Sequence, residues 1–402
     1  MRNATSARAD GPVKKPIIFD DHTDYSQIEL QYYVDTRVGK PTCMARCEHC
    51  WLDHEHSKDF VQDVGEARRI IAALRHQNFR VTPMVSDTFA MEGHYLRAGL
   101  FRNNDDWVHG NGAWTSGRPL LKDNWEELLE LAVDNGMSTI VLTSHGTQNK
   151  DREFKGITQP EYVRQAVARI HDFNARHGDP FQITLTFTIG KSTASRETVD
   201  SYLAHCEELG ASVMRLNQFA DFQQRFPEER LDKEDLVGIY RTMKEAYDAY
   251  TGPVTMSVSE DFGRWGVEVM NFPSEVGRCI AGENLFGAIY PNIYACPVEL
   301  TLVVGKIGPD GAVAWNKEML DRMVGAKRRD DFSGCLAVSY AHNDDIRRQL
   351  SGPPEKLVQL RPGRDLRNLA PIGADAVMTR DHRPTPTTVS RATDRGDRVP
   401  AS

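Results

Sequence analysis

The chain has 402 residues, enough for one large or two ordinary domains, and 40% of them are hydrophobic, which supports a sizeable core. Its net charge is −8 with both signs scattered, and no lysine–arginine cluster marks a nucleic-acid surface. No apolar run reaches the roughly eighteen residues of a membrane span, and the polar start, Met1 to Lys15, has no signal-peptide core. The expectation is a soluble, cytoplasmic protein with no nucleic-acid or membrane partner, in a compartment that keeps thiols reduced.

Residues 1–24 read as an N-terminal leader. Ile28 to Val34 alternates as a strand should. The run Thr42-Cys43-Met44-Ala45-Arg46-Cys47-Glu48-His49-Cys50-Trp51 follows it directly. Ala67 to Leu74 sets Ile70, Ile71 and Leu74 on one helical stripe, and Val81 to Val85 predicts a second strand. Residues 87–123 break the rhythm. A loop this long inside a domain is usually functional or disordered. Trp107, His109, Gly110, Gly112, Trp114 and Gly117 point to an ordered lid, with a plain surface excursion as the alternative.

Trp125 to Val133 predicts a helix with Asn124 as its cap. Further strands are expected at Thr139–Thr143, Phe181–Ile189, Ser212–Phe219 and Val254–Val258. Helices are expected at Tyr162–Phe173, Ser195–Leu209 (ended by Gly210) and Lys233–Tyr250. Six strands with helices between them argue for a parallel α/β sheet, curled into a barrel or doubly wound. Beyond them come Cys279, Ala295-Cys296-Pro297, Gly305-Lys306-Ile307, a helix around Lys317 to Val324, and Cys335. From about residue 380 the chain is rich in Thr, Pro, Arg and Asp and predicts a disordered tail.

Three cysteines within eight residues can wrap one inorganic cluster, yet they leave one of four irons without a protein ligand. A zinc site drawing on His49, His54 or His56 is one alternative, although zinc wants a fourth ligand at a regular offset. A disulfide is another, but the total of seven cysteines is odd. The C-x3-C-x2-C spacing, with His49 in the slot before the last cysteine, resembles the signature of the radical S-adenosylmethionine (radical SAM) superfamily. The resemblance covers roughly residues 25–262. It implies an α/β chain with a partial (β/α)6 barrel and functional groups at the C-terminal strand ends.

The order Cys279, Cys296, Cys335 is similar to the SPASM/twitch extension of these enzymes. It implies a small α+β domain over residues 263–350 that binds an auxiliary iron–sulfur cluster, with residues 351–402 as a C-terminal extension. Twitch domains commonly end in a close cysteine pair, whereas Cys335 stands alone. The fourth iron is then open, or held by a group such as His342 or Asp344. Three small buried thiols are the plainer alternative, and mid-helix Cys206 reads as core.

The resemblance further implies that Cys43, Cys47 and Cys50 hold a [4Fe–4S] cluster whose fourth iron is chelated by S-adenosylmethionine. A flavodoxin or ferredoxin-type donor would supply the electron for reductive cleavage. Where the family has a Gly-Gly-Glu segment after its second strand, this chain has Pro83-Met84-Val85-Ser86-Asp87-Thr88, so Ser86 and Asp87 are the nearest substitutes. Thr143-Ser144-His145-Gly146 is similar to the family's Thr-Asn-Gly turn at the third strand end. Thr186 and Thr188, and then Arg215 and Asn217, alternate with apolar neighbours and are expected to point into the barrel. His49, Ser86, Asp87, Ser144, Thr188, Arg215 and Asn217 form the expected cofactor-binding set.

A buried Arg215 needs an anion, either the cofactor's carboxylate or a structural partner. Ser257 and Ser259 do similar work or fill space. Near the mouth, Glu92, His94, His109, Trp114, Glu260 and Asp261 are candidates. Glu92, His109 and Glu260 could take a proton as a substrate radical is oxidised, and each could equally be a solvated loop residue. The expected activity is dehydrogenation of a polar small molecule, such as an aminocyclitol or amino sugar in natural-product biosynthesis, with the auxiliary cluster accepting the electron. Alternatives are an epimerase, dehydratase or deaminase on a similar sugar, a peptide maturase, and an iron–sulfur or zinc regulator.

Overall fold

Apolar side chains recur at every second position of the central strands. Ile140 and Leu142, Ile183, Leu185 and Phe187, Met214 and Leu216, and Met256 and Val258 are all buried. Between them stand Thr143, Thr184, Thr186, Thr188, Arg215, Asn217, Thr255, Ser257 and Ser259. Period two puts these sets on opposite faces. The apolar face packs on helices, as where the Phe187 ring stacks on Tyr202 with centroids 4.2 Å apart. The other face, polar apart from Val141 and Val213, lines the interior.

The computed structural model describes residues 15–20, 27–37, 42–45, 47, 49–53, 60–102, 112–144, 160–263, 265, 269–270, 279–351 and 357–358. All lie within one unit, residues 1–370. The strands of the α/β core are β1 (Ile18–Asp20), β2 (Ile28–Tyr33), β3 (Phe79–Met84), β4 (Gly112–Thr115), β5 (Thr139–Thr143), β6 (Gln182–Ile189), β7 (Val213–Gln218) and β8 (Thr255–Ser259). A parallel sheet runs in the order β1-β8-β7-β6-β5-β4. β2 and β3 pair in parallel in a second sheet. The gap between β3 and β4 is bridged at their C-terminal ends. Thr88 N donates to Trp114 O at 2.9 Å, and Trp114 N donates to Thr88 Oγ1 at 3.0 Å.

The parallel array thus runs from β2 to β8 with β1 added at its edge, a partial barrel as expected but with more strands than the six predicted. Part of the stretch expected to be a lid is an ordinary repeat of the barrel. It contains the helical segment Ala90–Arg97, broken by left-handed residues Met91, Glu92 and Gly93, and strand β4. Four residues beginning with glycine are too short for alternation to be visible. Residues 103–111, with Trp107 and His109, lie outside the described residues. β1 falls inside the expected leader and pairs with β8.

Helices Val64–His76, Trp125–Asp134, Pro160–His177, Arg196–Glu208 and Lys233–Ala249 cover the barrel strands. Asp63, Ser195 and Asp232 accept from the first-turn N–H groups of their helices, satisfying orphan donors. Asn124 stands at its expected cap position, but its side chain makes no capping bond.

The second sheet continues through β9 (Leu285–Ile289), β10 (Asn292–Tyr294), β11 (Val303–Ile307), β12 (Val313–Asn316) and β13 (Leu357–Val358). β9 pairs in parallel with β2, so this sheet runs across the expected boundary at residue 262. Trp315, fully buried, packs 4.8 Å from Phe286 and 6.4 Å from Phe79, between centroids. Three helices follow, Lys317–Lys327, Leu336–His342 and Asp344–Leu350. Among the described residues no helix is long and apolar enough to cross a membrane.

Candidate functional site

The first cysteine loop leaves the C-terminal end of β2, and the chain around it is tied to several elements. Thr42 is fully buried, and its hydroxyl donates to Arg37 O just after β2. An Arg118 guanidinium N–H, beyond β4, donates to Met44 O at 2.7 Å. Gln223 Nε2, beyond β7, donates to Cys50 O at 3.3 Å. Inside the loop Cys50 N donates to Cys47 O at 3.1 Å, a turn that brings two of the cysteines together. Trp51 stands edge-on to Tyr33, and His49 lies 6.0 Å from the Phe219 ring. Ties to segments after β2, β4 and β7 hold the loop over the C-terminal mouth of the barrel, where parallel barrels gather their functional groups. All seven cysteines are free of disulfide bonds.

Below that mouth lies Arg215 on β7. Its guanidinium donates to Asn217 Oδ1 and to Ser259 Oγ, the latter at 3.1 Å. It stands 3.9 Å from Glu260 Oε2, and its carbon is 5.2 Å from the centre of the Trp114 ring on β4. Thr186, beside Arg215 in the register of β6 and β7, keeps a buried hydroxyl with no hydrogen-bond partner. An orphan polar atom of this kind calls for a ligand or water. A cation, an amide, hydroxyls and an aromatic face in one interior suit a polar, partly anionic ligand.

No protein-family model matches the sequence, and no curated protein matches it significantly. Solved structures do. SuiB of Streptococcus suis aligns with a TM-score of 0.50 at 13% identity, over 71% of this chain and 63% of that one. SuiB bound to its precursor peptide SuiA gives 0.49 at 13% identity, over 81% and 67%. The enzyme anSMEcpe with bound AdoMet gives 0.49 at 12% identity, over 80% and 83%. At such identities the likeness is one of fold.

This chain has the fold of the radical SAM enzymes.

Within the radical SAM fold the expected cofactor-binding residues divide. His49, Arg215 and Asn217 lie at the mouth or in the interior, and Thr188 follows on the same face of β6. Ser144 is fully buried at the end of β5, its N–H donating to Thr186 O at 2.8 Å. With β4 counted, β5 is the fourth strand of the array from β2. Thr143-Ser144 therefore does not end the third strand, contrary to expectation; the residues at the end of that strand, β4, are Thr115-Ser116-Gly117. Asp87 is fully buried, and Ser116 N and Oγ both donate to its Oδ2 while Phe89 N donates to Oδ1. Burial raises its pKa, and its carboxyl joins the ends of β3 and β4. Ser86 donates to Asp35 Oδ2 at 3.1 Å, linking β3 to the root of the cysteine loop.

Glu92 sits in a left-handed turn, is 72% exposed and lies 3.9 Å from Lys122, and His94 is exposed beside it. Neither faces the interior. His109 lies outside the described residues. Glu260 is the proton-transfer candidate that the fold places against Arg215. Asp261 beside it accepts from Gln218 N at 2.9 Å, and burial, with Glu260 next, pushes it up to about 7.

The second cysteine group converges. Burial pushes the Cys296 thiol up to about 12, with Cys279 as its next neighbour. Burial and then Cys279 and Cys296 hold Cys335 well above the ordinary thiol range. Cys279 O accepts from Lys327 Nζ at 2.8 Å, and that ammonium also pairs with Glu283. Gly287 on β9 lets Cys296 approach, since a Cβ there would lie 2.9 Å from Cys296 O. Of the two expected fourth ligands, His342 keeps a buried Nδ1 with no hydrogen-bond partner among the described residues, and Asp344 faces solvent. His342 Nε2 accepts from Asp221 N at 3.0 Å, which uses that lone pair. Asp344 is 82% exposed and pairs with Arg347.

Among the described residues no three His, Cys, Asp or Glu side chains are close enough to share one metal ion. Cysteines around a four-iron cluster each bind a different iron and need not meet at one point. Sequence reasoning missed the roles of Ser116, Arg118, Asp221 and Gln223. Only Ser116 carried a signal, an aromatic–threonine–serine–glycine run ahead of a leucine pair.

Proposed function

We propose that this chain is a radical SAM oxidoreductase. The observation that carries the reading is the three-cysteine loop fixed over a barrel interior that holds Arg215. Cys43, Cys47 and Cys50 would hold a [4Fe–4S] cluster. The donor set fits, since the three thiols share one loop and leave one iron for another ligand. When bound, that cluster and S-adenosylmethionine supply a carbon radical able to abstract hydrogen from an unactivated C–H bond.

The chain's own residues do the rest. Arg215, held by Asn217 and Ser259, presents a cation to a ligand carboxylate. Thr186, Thr188 and Ser144 offer hydroxyls to ribose or substrate, with Ser86 and His49 nearer the rim. Trp114 gives an apolar platform that excludes water. Glu260, 35% exposed and 3.9 Å from Arg215, would take the substrate's proton. Cys279, Cys296 and Cys335 would hold an auxiliary cluster that accepts the substrate's second electron. A flavodoxin or ferredoxin-type protein would deliver the electron that reduces the first cluster for cleavage of S-adenosylmethionine.

The polar interior supports a hydroxylated small molecule, such as an aminocyclitol or amino sugar, as the substrate. The test is deuterium transfer from position-labelled candidates into 5′-deoxyadenosine. Deuterium should transfer from one labelled carbon, which then becomes a ketone or imine. Transfer followed by return of hydrogen, with inverted stereochemistry, would overturn dehydrogenation in favour of epimerisation.

A further inference from the structure

The segment between β7 and the helix Lys233–Ala249 touches the first cysteine loop and the helix that Cys335 caps. At one end Gln223 Nε2 donates to Cys50 O, and Phe219 faces His49. At the other, Asp221 N donates to His342 Nε2, and Gln224 Nε2 donates to Ala341 O at 2.6 Å. Ala341 and His342 close the helix that Cys335 opens as its N-cap. One short segment therefore grips the last cysteine of the first loop and the far end of the helix begun by the last cysteine of the second group.

Asp221 makes this segment stiff. It is 2% exposed. Its Oδ1 accepts from Arg225 N at 2.8 Å, and its Oδ2 accepts from Arg230 Nε and a terminal Arg230 nitrogen at 3.1 and 2.8 Å. The same Arg230 nitrogen donates to Gln224 Oε1, and Gln224 Nε2 also donates to Asp221 O. Gln224 is held at φ 56°, a left-handed conformation that persists where its surroundings over-determine it. A buried carboxylate with a two-nitrogen contact to arginine fixes direction as well as distance.

We propose that residues 219–232 form a strap, pinned by Asp221, that sets the separation between the two cysteine groups. Asp221 is a positioning residue, acting through Gln223 on one group and through Gln224 and His342 on the other. The inference rests on the proposed function only in taking these groups as metal sites. The mechanical coupling holds in the chain itself.

The test is amide hydrogen exchange on the full-length protein and its Asp221→Asn, Gln224→Ala and Gln223→Ala variants. Asp221→Asn should speed exchange about tenfold or more in both residues 49–53 and residues 336–342, with β6 unchanged. Gln223→Ala should loosen residues 49–53 alone. If Asp221→Asn fails to fold, Gln224→Ala carries the same expectation for both segments. Faster exchange in residues 336–342 with residues 49–53 as in wild type would overturn the strap. A second readout follows iron reconstitution. The magnetic coupling between two reduced clusters should broaden in Asp221→Asn at unchanged iron content, and an unaltered spectrum would contradict the positioning role. A chain that binds no iron while both segments still loosen together supports the strap and refutes the metal reading.

Discussion

Arg215 and Trp114 meet inside the barrel, guanidinium carbon 5.2 Å from ring centre, although β5 and β6 lie between their strands. Only a curled sheet with both side chains on its inner face permits that contact. A cation so held, with Asn217 and Ser259 fixing its donors, is preorganised for an anion. Charged hydrogen bonds contribute about 1.5–3 kcal/mol each. Arg215→Met should therefore weaken S-adenosylmethionine binding about tenfold or more, read by titration calorimetry. Trp114→Leu, losing a cation–π contact of about 0.5–2 kcal/mol, should have a smaller effect.

Asp35, fully buried between Ser86 and Arg37 N, is pushed by burial up to about 6 from an ordinary 3.8. The folded chain thus holds this proton more tightly than the unfolded chain. The stability it contributes is complete below about pH 4 and is lost as pH rises through 6, about 3 kcal/mol in all. In denaturant titrations Asp35→Asn should gain on wild type across that window. A constant difference between the two proteins from pH 4 to 7 would contradict the assignment.

Gly263, at φ 68°, ends the turn after β8 against the loop that carries Cys335. A Cβ there would lie 2.6 Å from Ser333 O. Gly263→Ala should cost about 1–3 kcal/mol in thermal unfolding. It should also lower iron at the second group while leaving the first intact.

Iron counts separate the two groups. Reconstituted wild type should hold about eight irons per chain, and Cys47→Ala or Cys335→Ala about four each. Zinc alone at the first group would contradict the cluster.

The sequence displayed most of the barrel because its strands are runs of apolar and β-branched residues and its helices carry apolar stripes. β4 was hidden by its length, and β1 by its place in a polar leader. The site was half readable. Cysteine spacing and the parity of Arg215 and Asn217 are local patterns. Asp87, by contrast, looked like a ligand group, because its contacts with Ser116 span 29 residues and no local pattern carries them. Glu92 likewise looked like a proton acceptor until the turn at Met91-Glu92-Gly93 aimed it at solvent.

The most direct measurement is reductive cleavage of S-adenosylmethionine by anaerobically reconstituted protein. Wild type should release 5′-deoxyadenosine and methionine, and Cys47→Ala should release neither. Cleavage that persists in Cys47→Ala, or wild type with a full complement of iron and no cleavage, would contradict a cofactor-binding iron at the barrel mouth.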